Sequence, residues 1–216
     1  MSTYSFIADH KVVVIVRKMY GEDLLNLSKA LYEGGVRLME VTFDQQDPAC
    51  AKKTAEAIEM LNAHHGEKMM FGAGTVLSVA QVDAAHKAGA RYIISPNFRA
   101  AVVEHTKKLG LVSMPGCMTP TEILDAHDCG ADFIKLFPAT TLGFKYIKDI
   151  LAPISHVKLV ATGGVNEENF GEYLALGFAG AGISGRLTDK KLIADGNWEE
   201  LTRRAKVFAE IAKSYS

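Results

Sequence analysis

The chain of 216 residues is 48% hydrophobic and carries 24 Lys and Arg against 25 Asp and Glu. That is enough apolar material to bury one core without staples, and the balanced charge excludes a bulk affinity for nucleic acid or for an acidic membrane surface. Cys50, Cys117 and Cys129 are odd in number and lack CxxC spacing, which argues against a disulfide framework or a zinc knuckle and for a reducing, cytoplasmic setting. Residues 1–10 hold no apolar run, and no stretch has the length of a membrane span, so a soluble, unprocessed protein is expected.

Eight short β-branched runs follow one another, at residues 12–17, 38–43, 70–76, 91–96, 111–116, 132–138, 157–164 and 180–185. Segments of helical period lie between them, at 22–33, 48–62, 79–87, 100–109, 120–127, 145–151 and 167–176, with a longer one at 198–212. Glycines such as Gly35, Gly89, Gly110, Gly130 and Gly177 close several of these helices just before the next strand, the usual left-handed stop of a βα unit. Strict alternation fits either an open doubly wound sheet or a closed barrel. The count of eight units selects an α/β fold of the (β/α)8 TIM-barrel type, a single domain over residues 1–216 with short loops.

In such a barrel the chemistry sits at the C-terminal ends of the strands. Lys135 lies in the otherwise apolar run Phe133-Ile134-Lys135-Leu136-Phe137, where a charged ammonium is expensive. Desolvation there lowers a lysine pKa and leaves free amine, the form that attacks a ketone to give a carbinolamine and then an iminium. The alternative role is a structural ion pair with Glu40. Glu40 shares its pleat face with Leu38 and Thr42, and if that face is the interior its carboxyl can shuttle protons for Lys135. With Arg17 and glycine-rich loops at neighbouring strand ends, the nucleophile is the favoured role.

Arg17 ends the first run and can bind a carboxylate through paired hydrogen bonds, unless it is only a surface arginine. Thr162-Gly163-Gly164, with Asn166 as a plausible helix N-cap, ends the seventh run, and Ser184-Gly185 ends the eighth. Bare N–H groups after strands seven and eight form the phosphate site of many barrels, although tight turns also need glycine. The histidines fall on helices or loops, His64-His65 reads as a solvated helix terminus, and no residue set has metal-ligand spacing. No metal is expected.

These strand ends make the chain resemble the 2-keto-3-deoxy-6-phosphogluconate/4-hydroxy-2-oxoglutarate aldolase family nearly end to end. The segments that carry the likeness are Gly34-Gly35-Val36 leading to Glu40-Val41-Thr42, Gly72-Ala73-Gly74-Thr75-Val76, Ile94-Ser95-Pro96, Met114-Pro115-Gly116 with Thr119-Pro120-Thr121-Glu122, Lys135-Leu136-Phe137-Pro138-Ala139, and Thr162-Gly163-Gly164-Val165. The resemblance implies a class I carbon–carbon lyase of the Entner-Doudoroff type, a homotrimer that needs no cofactor. It would cleave a 2-keto acid, in the expected case phosphorylated, to pyruvate and an aldehyde, either glyceraldehyde 3-phosphate or glyoxylate. It further implies that Lys135 forms the Schiff base, that Glu40 is the acid/base, that Thr75, Pro96 and Phe137 line the pyruvate pocket, and that Gly163 and Gly164 meet the phosphate.

The sequence departs from the family at two places. Many members follow Glu-Val-Thr with Leu and an Arg that contacts the substrate carboxylate, whereas here Phe43-Asp44 follows, so that contact must pass to Arg17 or to backbone. The usual Gly-Ser of the eighth strand is Ser184-Gly185, which shifts the hydroxyl by one residue, a loss Arg186 is placed to offset. Two rival readings stay open: a sugar-phosphate epimerase or isomerase using the same lysine and glutamate, and a non-catalytic barrel that binds a sugar-acid phosphate.

Overall fold

The computed structural model describes residues 1–141 and 143–215. Its strands are β1 (Val12–Val16), β2 (Leu38–Thr42), β3 (Met70–Gly74), β4 (Tyr92–Ile94), β5 (Val112–Met114), β6 (Gly116–Cys117), β7 (Ile134–Leu136), β8 (Leu159–Thr162) and β9 (Gly180–Ile183). All pair in parallel, in the order β5-β4-β3-β2-β1-β9-β8-β7-β6. The two ends of that order are consecutive in sequence, because β5 and β6 are one expected strand interrupted at Pro115. Backbone bonds from Phe133 N to Ser113 O (3.2 Å) and from Lys135 N to Pro115 O (2.9 Å) carry the chain across the gap, so the nine strands form a nearly closed barrel.

Parity along the strands explains what faces where, since successive side chains in a strand point to opposite sides. Val12, Val14 and Val16 join the core beneath the outer helices, as do Met39 with Val41 and Ile134 with Leu136. Val13, Leu38, Tyr92, Ile94, Val112, Met114, Phe133 and Val160 form the separate interior core. Continuing the interior parity toward the C-terminal ends gives Ile15 and Arg17, Glu40, Pro96, Lys135 and Phe137, Thr162, and Ser184. One periodicity therefore aims these candidate side chains, though not Thr75, at the barrel axis.

The outer helices are α2 (Gly21–Glu33), α3 (Cys50–His65), α4 (Val79–Lys87), α5 (Ala100–Lys108), α6 (Pro120–Asp128), α7 (Gly143–Leu151), α8 (Phe170–Ala175), α9 (Lys190–Ala194) and α10 (Trp198–Lys213), preceded by α1 (Thr3–His10). Sequence periodicity misses α1 and α9. α1 plugs the N-terminal mouth: Ile7 joins the interior core and Tyr4 stacks on Phe133 at 4.7 Å. α6 begins with a full capping box, Thr119 Oγ1 accepting from Glu122 N while Glu122 Oε2 accepts from Thr119 N. α8 starts later than expected, and Asn166 is not its cap. Asn166 Oδ1 instead accepts from Glu168 N and Asn169 N, a turn that delays the helix to Phe170. Among the described residues no helix is long and apolar enough to cross a membrane.

Candidate active site

Glu40 and Lys135 are both buried, 1% and 5% exposed. Glu40 sits beside Ile15 of β1 and Gly72 of β3, and Lys135 beside Gly116 and Val160. The space around Glu40 comes from two interior glycines. A Cβ on Gly74 would lie 2.6 Å from Glu40 Cδ and Oε2, and one on Gly72 would lie 2.2 Å from the Tyr92 ring. Tyr92 fills the room so released as the floor of the site, its hydroxyl donating to Met39 O at 2.8 Å.

Among the described residues neither a hydrogen bond nor a salt bridge joins Glu40 to Lys135, and Glu40 Oε2 has no partner at all. The structural ion pair weighed from sequence is thus not formed. Lys135 Nζ instead lies 4.9 Å from the Phe137 ring centroid. Burial is the main influence on both groups. It pushes the Lys135 ammonium below its usual pKa, helped by the Arg17 charge and opposed by Glu40. It pushes the Glu40 carboxyl above its usual range, against the pull of Lys135 and Arg17. Both shifts favour a free amine beside a protonated acid.

Above this pair opens a cavity of about 350 Å3 whose wall gathers Ile15, Arg17, Phe137, Thr162, Gly163, Gly164, Gly182, Ser184 and Gly185. Ile15 and Phe137 link it to Glu40 and Lys135 by register and by contact. Gly163 and Gly164 have φ of 95° and 78°, a conformation that favours glycine, and Thr140 Oγ1 donates to Gly163 O at 3.1 Å to pin the loop. Among the described residues the N–H groups of Gly164, Val165 and Gly185 meet no protein acceptor. Arg17 Nη1 donates to Ser184 Oγ at 3.0 Å, so guanidinium, hydroxyl and free amides share one wall suited to an anion. Arg186 also lines this cavity, its Nε and Nη2 holding Glu167 through three hydrogen bonds.

Thr75 and Pro96 lie outside that wall. Thr75 follows β3 with φ 55°, and the Pro96 carbonyl backs onto Gly116, where a Cβ would sit 2.4 Å from it. Asp44, in the place of the family's arginine, accepts from Lys18 Nζ at 3.1 Å. Cys117 is buried in β6, with its thiol pushed up to about 12 chiefly by burial, so it packs. His65 corrects the solvated-terminus expectation: it is 7% exposed and shares a 2.8 Å hydrogen bond with Ser28 Oγ. Sequence reading also missed Tyr92 and Gly74. The signal available was the pair of glycines at interior parity, which must leave room for a bulky neighbour.

A parallel barrel with a buried lysine and carboxyl beneath a wall of guanidinium, hydroxyl and free amides is the arrangement of an enzyme site. The profile of the KDPG and KHG aldolases matches residues 4–204, and the chain belongs to that family. It is an aldolase, a carbon–carbon lyase. A 2-dehydro-3-deoxy-phosphogluconate aldolase of Treponema pallidum is 38% identical over 168 residues, 76% of either chain. A probable 2-dehydro-3-deoxy-6-phosphogalactonate aldolase of Rhizobium meliloti is 36% identical over 180 residues, covering 83% of this chain and 82% of that one. The KDPG aldolase of Legionella pneumophila, solved with pyruvate captured at low pH as a covalent carbinolamine, superposes with a TM-score of 0.84 at 28% identity over 96% of this chain and 98% of that one.

Proposed function

We propose that the protein is a class I aldolase in which Lys135 binds the 2-keto carbon as a Schiff base and Glu40 moves the protons. The observation that carries this reading is a buried lysine, unpaired, next to a carboxyl with a free oxygen. Lys135 Nζ attacks C2 of the keto acid to give a carbinolamine, and protonated Glu40 supplies the proton with which the hydroxyl leaves as water. The resulting carboxylate takes the proton of the C4 hydroxyl. The C3–C4 bond then breaks, its electron pair forms the C2–C3 enamine, and the aldehyde departs. Glu40 returns the proton to C3, and water hydrolyses the iminium to release pyruvate and the amine.

The substrate is a 2-keto-3-deoxy sugar acid such as 2-dehydro-3-deoxy-6-phosphogluconate, or a close 4-hydroxy-2-keto acid such as 4-hydroxy-2-oxoglutarate. The aldehyde is accordingly glyceraldehyde 3-phosphate or glyoxylate. The free amides of Gly164, Val165 and Gly185 support a phosphorylated substrate, with Arg17, Thr162 and Ser184 on the same wall. In this reading the protein acts in the cytoplasm as a homotrimer of single-domain barrels, in keeping with the family resemblance.

The test is borohydride reduction in the presence of pyruvate, followed by peptide mass spectrometry of wild type and Lys135→Ala. A reduced pyruvate adduct on Lys135, absent from the variant, is expected. Folded wild-type protein without an adduct would defeat the Schiff base and favour proton transfer alone by the same two residues.

A further inference from the structure

The β8–β9 ladder ends at the pair Thr162 and Gly182. Beyond it the chain runs into two loops, 163–169 and 184–189, which carry the free amides of Gly164, Val165 and Gly185. Among the described residues no backbone hydrogen bond joins one loop to the other. Amides on separate loops bind one anion together only if the loops keep their spacing. Each loop is stiff in itself. In the first, Asn169 Nδ2 donates to Gly164 O at 3.1 Å and Asn169 Oδ1 accepts from Asn166 N at 2.9 Å. In the second, Leu187 N and Thr188 N donate to Ser184 O at 2.8 and 3.1 Å. What these bonds leave open is the distance between the loops.

A side-chain strap spans that distance. Arg186 Nε donates to both Glu167 oxygens, at 3.1 and 2.9 Å, and its Nη2 donates to Oε1 at 2.8 Å, a two-point geometry in which guanidinium and carboxylate fix each other's orientation. Glu167 follows the Asn166 that knits the first loop, and Arg186 directly follows Gly185. The Arg186 carbonyl accepts in turn from Arg204 Nη1 at 3.1 Å. Arg204 lies on α10, bonds Glu200 at 2.9 Å and Asp189 at 3.3 Å, and has a side chain only 16% exposed. The strap therefore runs from the Gly164 turn to an outer helix. Because the Glu167 charge cancels that of Arg186, the pair brings orientation to the cavity rather than net positive charge. We propose that Glu167 and Arg186 are positioning residues that hold the two amide-bearing loops at the spacing a phosphoryl group needs. This inference rests on the reading above that the substrate is phosphorylated.

The experiment is steady-state cleavage of 2-dehydro-3-deoxy-6-phosphogluconate, or of its galactonate epimer if that is cleaved faster, and of the same keto acid without its phosphate. Wild type, Glu167→Ala, Arg186→Ala and the double variant are compared. Each single change is expected to raise KM for the phosphorylated substrate roughly tenfold, the effect of losing about one hydrogen bond to a charged group, while kcat stays within about twofold of wild type. The double variant is expected to be no worse than either single one, because the two ends of one strap can be lost only once. Were Arg186 itself a phosphate ligand, Glu167→Ala would free its guanidinium and lower KM. An unchanged or lowered KM in Glu167→Ala, additive effects in the double variant, or an equal rise for the unphosphorylated acid overturns the assignment. If Glu167→Ala does not fold, Glu167→Gln, which keeps the shape and loses the charge, takes its place. Wild type without preference for the phosphorylated acid defeats the phosphorylated-substrate reading and this inference with it, whereas a preference indifferent to both changes defeats only this inference.

Discussion

Replacing Lys135 with Met should make the protein inactive and more stable. Lys135 is 5% exposed and, among the described residues, its Nζ has neither a hydrogen bond nor an ion pair, so its head group is largely desolvated without a protein partner. The methionine retains most of the apolar stem and removes only that polar end. Leaving an amine-sized polar group buried without a partner costs about 1–3 kcal/mol, which the substitution should recover. For a chain of this size that corresponds to a rise in Tm of about 2–12 °C at neutral pH.

The gain should also depend on pH. The folded pKa of Lys135 lies below its unfolded value of 10.5, so between the two the unfolded chain holds more protons and wild-type stability climbs with pH. The penalty is greatest below the folded pKa and fades toward pH 10.5, so the advantage of Lys135→Met should shrink as pH rises through that window. Urea denaturation at three pH values measures this directly. A variant destabilised by more than about 1 kcal/mol at pH 7 would show that Lys135 is repaid by a partner, and would restore the structural ion pair.

Gly74→Ala places a methyl 2.6 Å from the Glu40 carboxyl, and should cost about 1–3 kcal/mol by overpacking while lowering kcat far more than it raises KM. Denaturant midpoints and steady-state kinetics check the two halves. His65 falls from 6.5 to about 4 in the folded chain, mainly by burial, so below pH 6.5 the unfolded state gains a proton that the native state refuses. Wild type should therefore lose about 2 kcal/mol between pH 7 and pH 5, and His65→Gln should lose about that much less in the same urea titration. Gly164→Ala drives a Cβ to 2.2 Å from Thr140 Oγ1 at a φ of 78°, and should raise KM for a phosphorylated keto acid while leaving pyruvate trapping intact.

Much of this was legible because period and position carry it. β1 and β2 read directly as β-branched runs, and Lys135 stood out as a charge inside an apolar run. The expected fifth strand appears as two, since Pro115 lacks the N–H a continuous ladder would use. α1 escaped because eight residues with a few scattered apolar positions make no clear stripe; its burial comes from the open barrel mouth, a tertiary fact. The Arg186–Glu167 strap could not be seen, because it joins residues 19 positions apart through polar side chains that carry no periodic signal. Asp44 was legible as a departure, but its partner Lys18 became visible only when β1 and β2 were laid side by side.

The interior glycines show how the fold creates the chemistry. A barrel axis filled with branched side chains would be a packed core, as it is around Val13, Leu38 and Val112. At Gly72, Gly74 and Gly182 the side chains are withdrawn, and Tyr92, Glu40, Thr162 and Ile15 occupy the space. Glu40 on β2 is thereby held almost wholly out of water, as is Lys135 on β7, four strands away around the barrel. Burial raises the pKa of the Glu40 carboxyl and lowers that of the Lys135 ammonium, so it works toward neutral acid and neutral amine, and no hydrogen bond or ion pair between the two opposes it among the described residues. A pair in contact would be a quenched salt bridge, whereas a pair kept apart leaves the amine nucleophilic and the acid ready to donate. The interior glycines, which leave room for Tyr92 and Glu40, are on this argument part of what makes the site reactive. Gly74→Ala, which presses on the carboxyl and on Thr42 Cγ2, should then shift the alkaline limb of the trapping-rate profile along with its amplitude.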